Sequence, residues 1–296
     1  MKYLLTILLL LVANDSCSHG RWIFPSHSIL SGENPEIVTF DFSISNDIFH
    51  PDNGYGGIPS EQLGLLFASD ENTSFSDLKI DQRNRWSKLK VTRPDGSIHS
   101  STPIIDFGRK SVASYKFQQD GTYQVEVDHK PIYYVTFQNQ FNKRSRMFGK
   151  LTEVKGKLPE GASNIVATRL SNRVKTYVSR NKTSSSTLKP ANNGLDIVFG
   201  THPNEFFEGE ETSVQLFLHG RPVTSGAAIK ITPSGTRHRN QRESLVMKTD
   251  SSGQSTISWK NSGLLLIEVE LANSETQDDY SQDKYALSVT VEVSQQ

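Results

Sequence analysis

The sequence predicts an all-β protein built from two β-sandwich domains, the C-terminal one immunoglobulin-like. Three observations carry this. Apolar and polar residues alternate with a period of two in most segments, turn signals recur about every ten residues, and no stretch sustains the 3.6-residue period of a helix. At 296 residues the chain is long enough for two domains of ordinary size.

Residues 1–18 are expected to form an export signal. Met1 and Lys2 give a positive start, and a short apolar run follows from Tyr3 to Ala13. That run falls short of the roughly 20 apolar residues needed to cross a bilayer core of about 30 Å. Ser16 and Ser18 occupy the −3 and −1 positions for cleavage before His19. Cys17 offers an alternative, cleavage before a lipid-bearing thiol. Cleavage after Ser18 instead leaves a mature chain with no cysteine, which a hydrophobic core alone must hold.

The first sandwich is assigned to residues 19–195, with an irregular insertion. Trp22 and Phe24 read as anchors for its first strand. "EIVTFDFSIS" (36–45) sets Val38, Phe40, Phe42 and Ile44 on one face and Ile37, Thr39, Asp41 and Ser43 on the other. "WSKLKVTRPDGSIHS" reads as two strands around a Pro94-Asp95-Gly96 turn. A second turn, Asp120-Gly121, precedes the alternation of Tyr123, Val125 and Val127. From about Asn142 to Lys189 the chain is basic and less regular. One short helix is expected there before Gly156, then a strand through "RVKTYVSR", then a surface loop or linker in "NKTSSSTLKPANNG".

The second sandwich is assigned to residues 196–296. "ETSVQLFLHGRPVTSGAAIKITPSG" gives strand, turn and strand; "TDSSGQ" and "NSG" mark two more turns, and "KYALSVTVEV" closes the chain. "TDSSGQ" lacks the other acidic positions of a calcium loop and reads as a hairpin turn.

Charge and motifs narrow the function. Lys plus Arg and Asp plus Glu each number 32, so the chain lacks the basic excess that nucleic acid or an anionic membrane surface demands. No later segment is apolar for long enough to span a membrane. Gly-rich phosphate loops, H-E-x-x-H, G-x-S-x-G and Cys-x-x-Cys are all missing, so no nucleophile or catalytic metal motif can be nominated.

The chemistry then rests on eight histidines. A terminal His19 offers its α-amine and Nδ1 to one metal ion, and a second imidazole completes a nitrogen-only site suited to Cu(II) or Ni(II). With an amine pKa near 8, deprotonation costs only about 1 kcal/mol at neutral pH. His50, in "SNDIFHPDNGYGG", stands where a strand gives way to a Gly-rich loop, and Asp47, His50 and Asp52 offer a mixed N/O set. The bland alternative makes both aspartates turn residues and His50 an edge cover. His27 is close to His19 in sequence, but Pro25 leaves its direction open. His202, before Pro203, reads as a linker residue. His219 sits in a turn, and His99, His129 and His238 read as exposed positions.

"SHGRWIFPSHSILSG", "SISNDIFH", "RPDGS", "DGTYQVE", "NRVKTYVSRNK", "LDIVFGTHPNEFFEGEETSVQLFLHGRPV", "ITPSGTRHRN" and "TDSSGQSTISW" follow one another in this order. Together they resemble a family of exported bacterial proteins of unassigned function, formerly labelled as periplasmic components of nickel or cobalt transport. The resemblance covers nearly the whole mature chain. It implies a periplasmic location in a Gram-negative bacterium, a role near transition-metal handling, and a histidine and tryptophan just after the signal, matched here by His19 and Trp22. His50 and Asp52 come from the local reading alone.

The expected function is non-enzymatic: binding a divalent transition metal (nickel, cobalt or copper) through His19, His50 and Asp52, with metal-transport or other envelope proteins as partners. Two alternatives stay open. One is an envelope adaptor without metal; the other is a copper redox enzyme built on the same terminal histidine.

Overall fold

The computed structural model describes residues 20–62, 88–127, 130–224, 226–236 and 243–296. The expected signal over 1–18, with Cys17, lies outside them. The chain is all-β, as two sandwiches. It runs β1 (Gly20–Pro25), β2 (Ile29–Leu30), β3 (Glu36–Ser45), β4 (Ile58–Pro59), β5 (Lys88–Thr92), β6 (Ile98–Pro103), β7 (Ile105–Asp106), β8 (Ser111–Phe117) and β9 (Gly121–Val127). Next come β10 (Ile132–Gln138), β11 (Arg144–Phe148), the single-turn helix α1 (Leu151–Val154) and the long β12 (Ser163–Arg180). The second half holds β13 (Leu195–Phe199), β14 (Phe206–Phe207), β15 (Glu211–Leu218), β16 (Arg221–Pro222), β17 (Ala228–Pro233) and β18 (Leu245–Lys248). It ends with β19 (Gln254–Ser258), β20 (Gly263–Gln277) and β21 (Tyr280–Ser294).

Among the described residues three sheets form. A five-stranded sheet has the order β1-β3-β8-β7-β4, and a small sheet joins β13, β15, β16 and β19. Both pack on one large sheet whose main path is β18-β17-β20-β21-β12-β9-β5-β6. The sandwiches are therefore not beads on a linker, because one sheet runs through both. Its continuity rests on β12, which pairs antiparallel with β9 and parallel with β21 from Thr168↔Gln282 to Thr176↔Thr290.

The two sandwiches use opposite faces of that sheet. Along β12, Val174 and Val178 enter the first core while Tyr177 enters the second, since successive strand residues point to opposite sides. The same parity holds in β20 and β21. Leu265, Ile267, Val269, Leu287, Val289 and Val291 fill the second core, whereas Leu266 packs with Trp22 and Ile48 on the reverse face. Strand β1 thus extends from the first sandwich onto the back of the second.

Local chemistry explains the elements. Val38, Phe40 and Phe42 of β3 are buried on one face and Ile37 stays exposed on the other. The Arg93–Ser97 turn closes through Gly96 N–H to Arg93 O and Arg93 N–H to Ser97 O. Asp250 Oδ1 accepts from Ser252 N, Ser252 Oγ and Gln254 N, so "TDSSGQ" is a hairpin turn. The short helix is α1, ending ahead of Gly156. Gly57 holds φ +128°, and a Cβ there would stand 2.2 Å from Ile104 O, so only glycine fits.

Two segments depart from the simplest reading. The Asp120-Gly121 turn joins no hairpin: β8 lies in the five-stranded sheet and β9 in the large one, so it carries the chain between layers. Tyr123 fixes this corner, its hydroxyl accepting from Gln119 N–H at 2.7 Å and donating to Gln119 O at 3.0 Å. That is the tyrosine-corner arrangement of Greek-key sandwiches. "NKTSSSTLKPANNG" is lashed to the first sandwich by Ser184 and Thr187 against Thr122 and by Ser186 against Pro94 O. It is no free linker. Among the described residues no helix is long and apolar enough to cross a membrane.

Candidate functional site

The site is built on the pairing of β1 with β3, which sets Gly20 opposite Ser45 and Pro25 opposite Phe40. Trp22 and Phe24 pack with Ile48, Phe49 and Leu266, anchoring β1 as the sequence implies. His19 lies outside the described residues. It is bonded to Gly20, and Gly20 pairs with the strand end from which the His50 loop departs.

That loop, residues 46–52, closes on itself. Ile44 and Asn53 exchange both backbone hydrogen bonds at its base, and Ser45 Oγ donates to Asp52 Oδ2 at 2.5 Å while accepting from Asp47 N–H. Thr236 Oγ1 donates to Ile48 O at 2.7 Å and ties the loop to the second sandwich. Phe49 holds φ +64°, a conformation costly for a bulky side chain. It is kept there by its ring contacts with Trp22 at 5.6 Å and Phe24 at 6.0 Å. The backbone next to His50 is therefore strained and clamped.

The named residues separate in role. Asp52 is committed to Ser45. Asp47 instead faces His50, its Oδ2 standing 3.4 Å from Nδ1. His50 Nε2 is buried and has no hydrogen-bond partner among the described residues. A carboxylate on one ring nitrogen orients the imidazole and leaves the other nitrogen as the free ligand atom. Among the described residues no group of three or more His, Cys, Asp or Glu side chains is arranged to hold a metal ion.

Sequence reasoning passed over Glu268. A Cβ added at Gly20 would lie 3.2 Å from its Oε1, so this carboxylate stands at the start of β1, where it also pairs with Lys230 at 3.0 Å. It comes from β20, hundreds of residues on, and carries no local signal.

The other described histidines are structural or peripheral. His27 is exposed. His99 bonds Thr102 at 3.2 Å and packs on Tyr115. His129 and His238 lie outside the described residues. His202 is no linker residue: its Nδ1 accepts from Asn204 N–H, and its Nε2 meets Thr122 Oγ1 at 2.8 Å. The network continues through Ser179 Oγ to Asn204 Oδ1, whose amide reaches the carbonyls of Ser28 and Tyr177. Burial lowers the pKa of His202 and keeps it neutral. His219 Nδ1 accepts from Gly194 N–H, and its Nε2 bonds Tyr285 Oη at 3.0 Å.

The profile of a family described as a domain of unknown function (DUF4198) matches residues 16–273. No curated protein matches the chain. Solved structures give faint likenesses. One is trypsin-activated alpha-2-macroglobulin from Escherichia coli, at 9% identity over 92% of this chain and TM-score 0.23. This chain spans only 16% of that protein's length. The FN1–FN3 domains of chicken CNTN1 align at 9% identity over 91% of this chain and 99% of theirs, with TM-score 0.22. A DUF3823 family protein from Bacteroides uniformis aligns at 12% identity over 70% of this chain and 89% of its own, with TM-score 0.21.

Proposed function

The chain belongs to this family of unknown function, and we propose that it is an exported, periplasmic, non-enzymatic protein that binds Ni(II), Co(II) or Cu(II) at the start of β1 in connection with metal uptake. One observation carries the reading: His50 presents a buried Nε2 with no hydrogen-bond partner among the described residues, while Asp47 faces its Nδ1. The pairing of Gly20 with Ser45 supports it, since the residue before Gly20 leads into the same loop. A mature terminus at His19 supplies an amine and an imidazole, His50 a third nitrogen, and the set suits these three metals. Asp52 supports the loop through Ser45, and Glu268 is a further oxygen donor near β1.

The test is calorimetric titration of Ni(II), Co(II) and Cu(II) into three proteins: the chain beginning at His19, the same chain with one added residue before it, and a His50→Ala variant. The added residue and the substitution should each weaken binding by roughly tenfold or more, as loss of a ligand or its orientation does elsewhere. Equal affinity in all three defeats the proposal.

A second reading, an envelope adaptor without metal, draws on Phe141 and Phe148, which are 71% and 65% exposed beside β11. Co-purification with an envelope protein and metal content well below stoichiometric would favour it.

A further inference from the structure

A cleft of about 300 Å³ opens on the face of the large sheet that carries the second core, just beyond the edge of the small sheet. Lys90, Glu126, Arg169, Ser171, Arg173 and His219 line it, so β5, β9, β12 and the β15–β16 turn all contribute. Its volume is at the lower end of the range for small-molecule sites.

The charges around it do not balance. Lys90 Nζ lies 2.5 Å from Glu126, Lys175 Nζ lies 2.5 Å from Asp196, and Arg169 donates from Nε and Nη2 to the two oxygens of Asp283. Each of these cations has its own carboxylate. Arg173 is a fourth cation, and among the described residues it has no carboxylate within hydrogen-bond reach. Its Nη1 stands 3.7 Å from both Glu126 and Asp196, and its Nη2 donates only to the carbonyl and side-chain oxygens of Asn193. Its side chain is only 14% exposed. His219 is engaged at both ring nitrogens, Nδ1 accepting from Gly194 N–H and Nε2 bonding Tyr285 Oη. Arg173 thus shares two carboxylates that Lys90 and Lys175 already hold at 2.5 Å, and a largely buried guanidinium so placed gains from an anion that bonds it directly. Ser171, two residues away on the same face of β12, also lines the cleft, and among the described residues its hydroxyl makes no side-chain hydrogen bond.

We propose that this cleft binds a small molecule through an oxyanion group, carboxylate or phosphate, held by Arg173 with Ser171 beside it. The site is separate from the β1 loop and does not depend on metal. Arg173 supplies the fork that oxyanions prefer.

The experiment follows the melting temperature of the full mature protein in phosphate, in citrate and in acetate, against sodium chloride at matched ionic strength. A rise with an oxyanion above the chloride control is expected, and whether phosphate or the carboxylates produce it identifies the class. Arg173→Gln should remove that rise while leaving the circular dichroism unchanged. Ser171→Asp places a tethered carboxylate in the cleft, so it should raise the melting temperature in plain buffer and abolish the response to added anions. It also serves if Arg173→Gln does not fold. No rise above chloride with any oxyanion overturns the proposal, as does an unchanged response in Arg173→Gln or Ser171→Asp.

Discussion

Lys175 Nζ and Asp196 Oδ1 lie 2.5 Å apart with both side chains buried, and the pair bolts β12 to the first strand of the small sheet. Burial works against the charge of Lys175, but the Asp196 carboxylate and Tyr177 together more than offset it and raise the amine's pKa. Burial likewise opposes the charge of Asp196, yet Lys175, then Arg173, hold its pKa below 3.8. Ala191 N–H adds a hydrogen bond to Asp196 Oδ2.

Removing one partner strands the other charge. Lys175→Met or Asp196→Asn alone should lower stability by about 3–5 kcal/mol, and Lys175→Met with Asp196→Leu should recover most of it. Urea unfolding checks both. Because the folded pKa of Asp196 is depressed, its contribution is present above pH 3.8 and is lost as pH falls below that value through the folded pKa. The gap between wild type and Asp196→Asn should therefore shrink on acidification.

His202 makes an opposite demand on the same buried layer, since its network needs a neutral ring. Its folded pKa is lowered below 6.5, so the unfolded chain takes up the proton first. Stability should fall as pH drops through 6.5 and level off below the folded pKa. In His202→Asn the decline over this window should be shallower than in wild type. Parallel pH profiles in denaturant titrations would refute the role assigned to this histidine.

Gly20 approaches the side chain of Ile48 closely. A Cβ there would come within 2.0 Å of Ile48 Cδ1, and Ile48 is itself buried. Gly20→Ala should cost about 1–3 kcal/mol by overpacking. Adding Ile48→Val, which deletes the colliding methyl, should restore much of the loss. Thermal melts of the single and double variants measure it.

Arg180 holds the β2–β3 loop by its planar fork. Nη1 donates to Asp120, and Nη2 donates to the carbonyls of Gly32, Glu33 and Asn34 at 2.6, 3.0 and 3.2 Å. A lysine cannot span this set, so Arg180→Lys should cost about 2–3 kcal/mol despite keeping the charge. Faster hydrogen exchange at Gly32, whose N–H bonds Asn181 Oδ1, is the local signature to look for.

The sequence by itself determined the strands, their buried faces and their turns. Val38, Phe40 and Phe42 announce their side by alternation, and Pro94-Asp95-Gly96 and Asp250 to Gly253 announce their bends, because these signals lie within a few residues of one another. It also singled out His50 and His19 by residue type, and the loop around His50 by its glycines. What only the tertiary structure decided is which distant residues meet. Nothing local to "RVKTYVSR" says that β12 pairs with β21, more than a hundred residues later, or that Val174 and Tyr177 serve different cores. Nor does any short pattern reveal that Asp47 rather than Asp52 faces His50, that Glu268 stands at the start of β1, or that Arg173 shares Glu126 and Asp196 with two lysines. Alternation is a property of one strand, whereas pairing, charge balance and the orientation of an imidazole are set by contacts that exist only once the sheets have assembled.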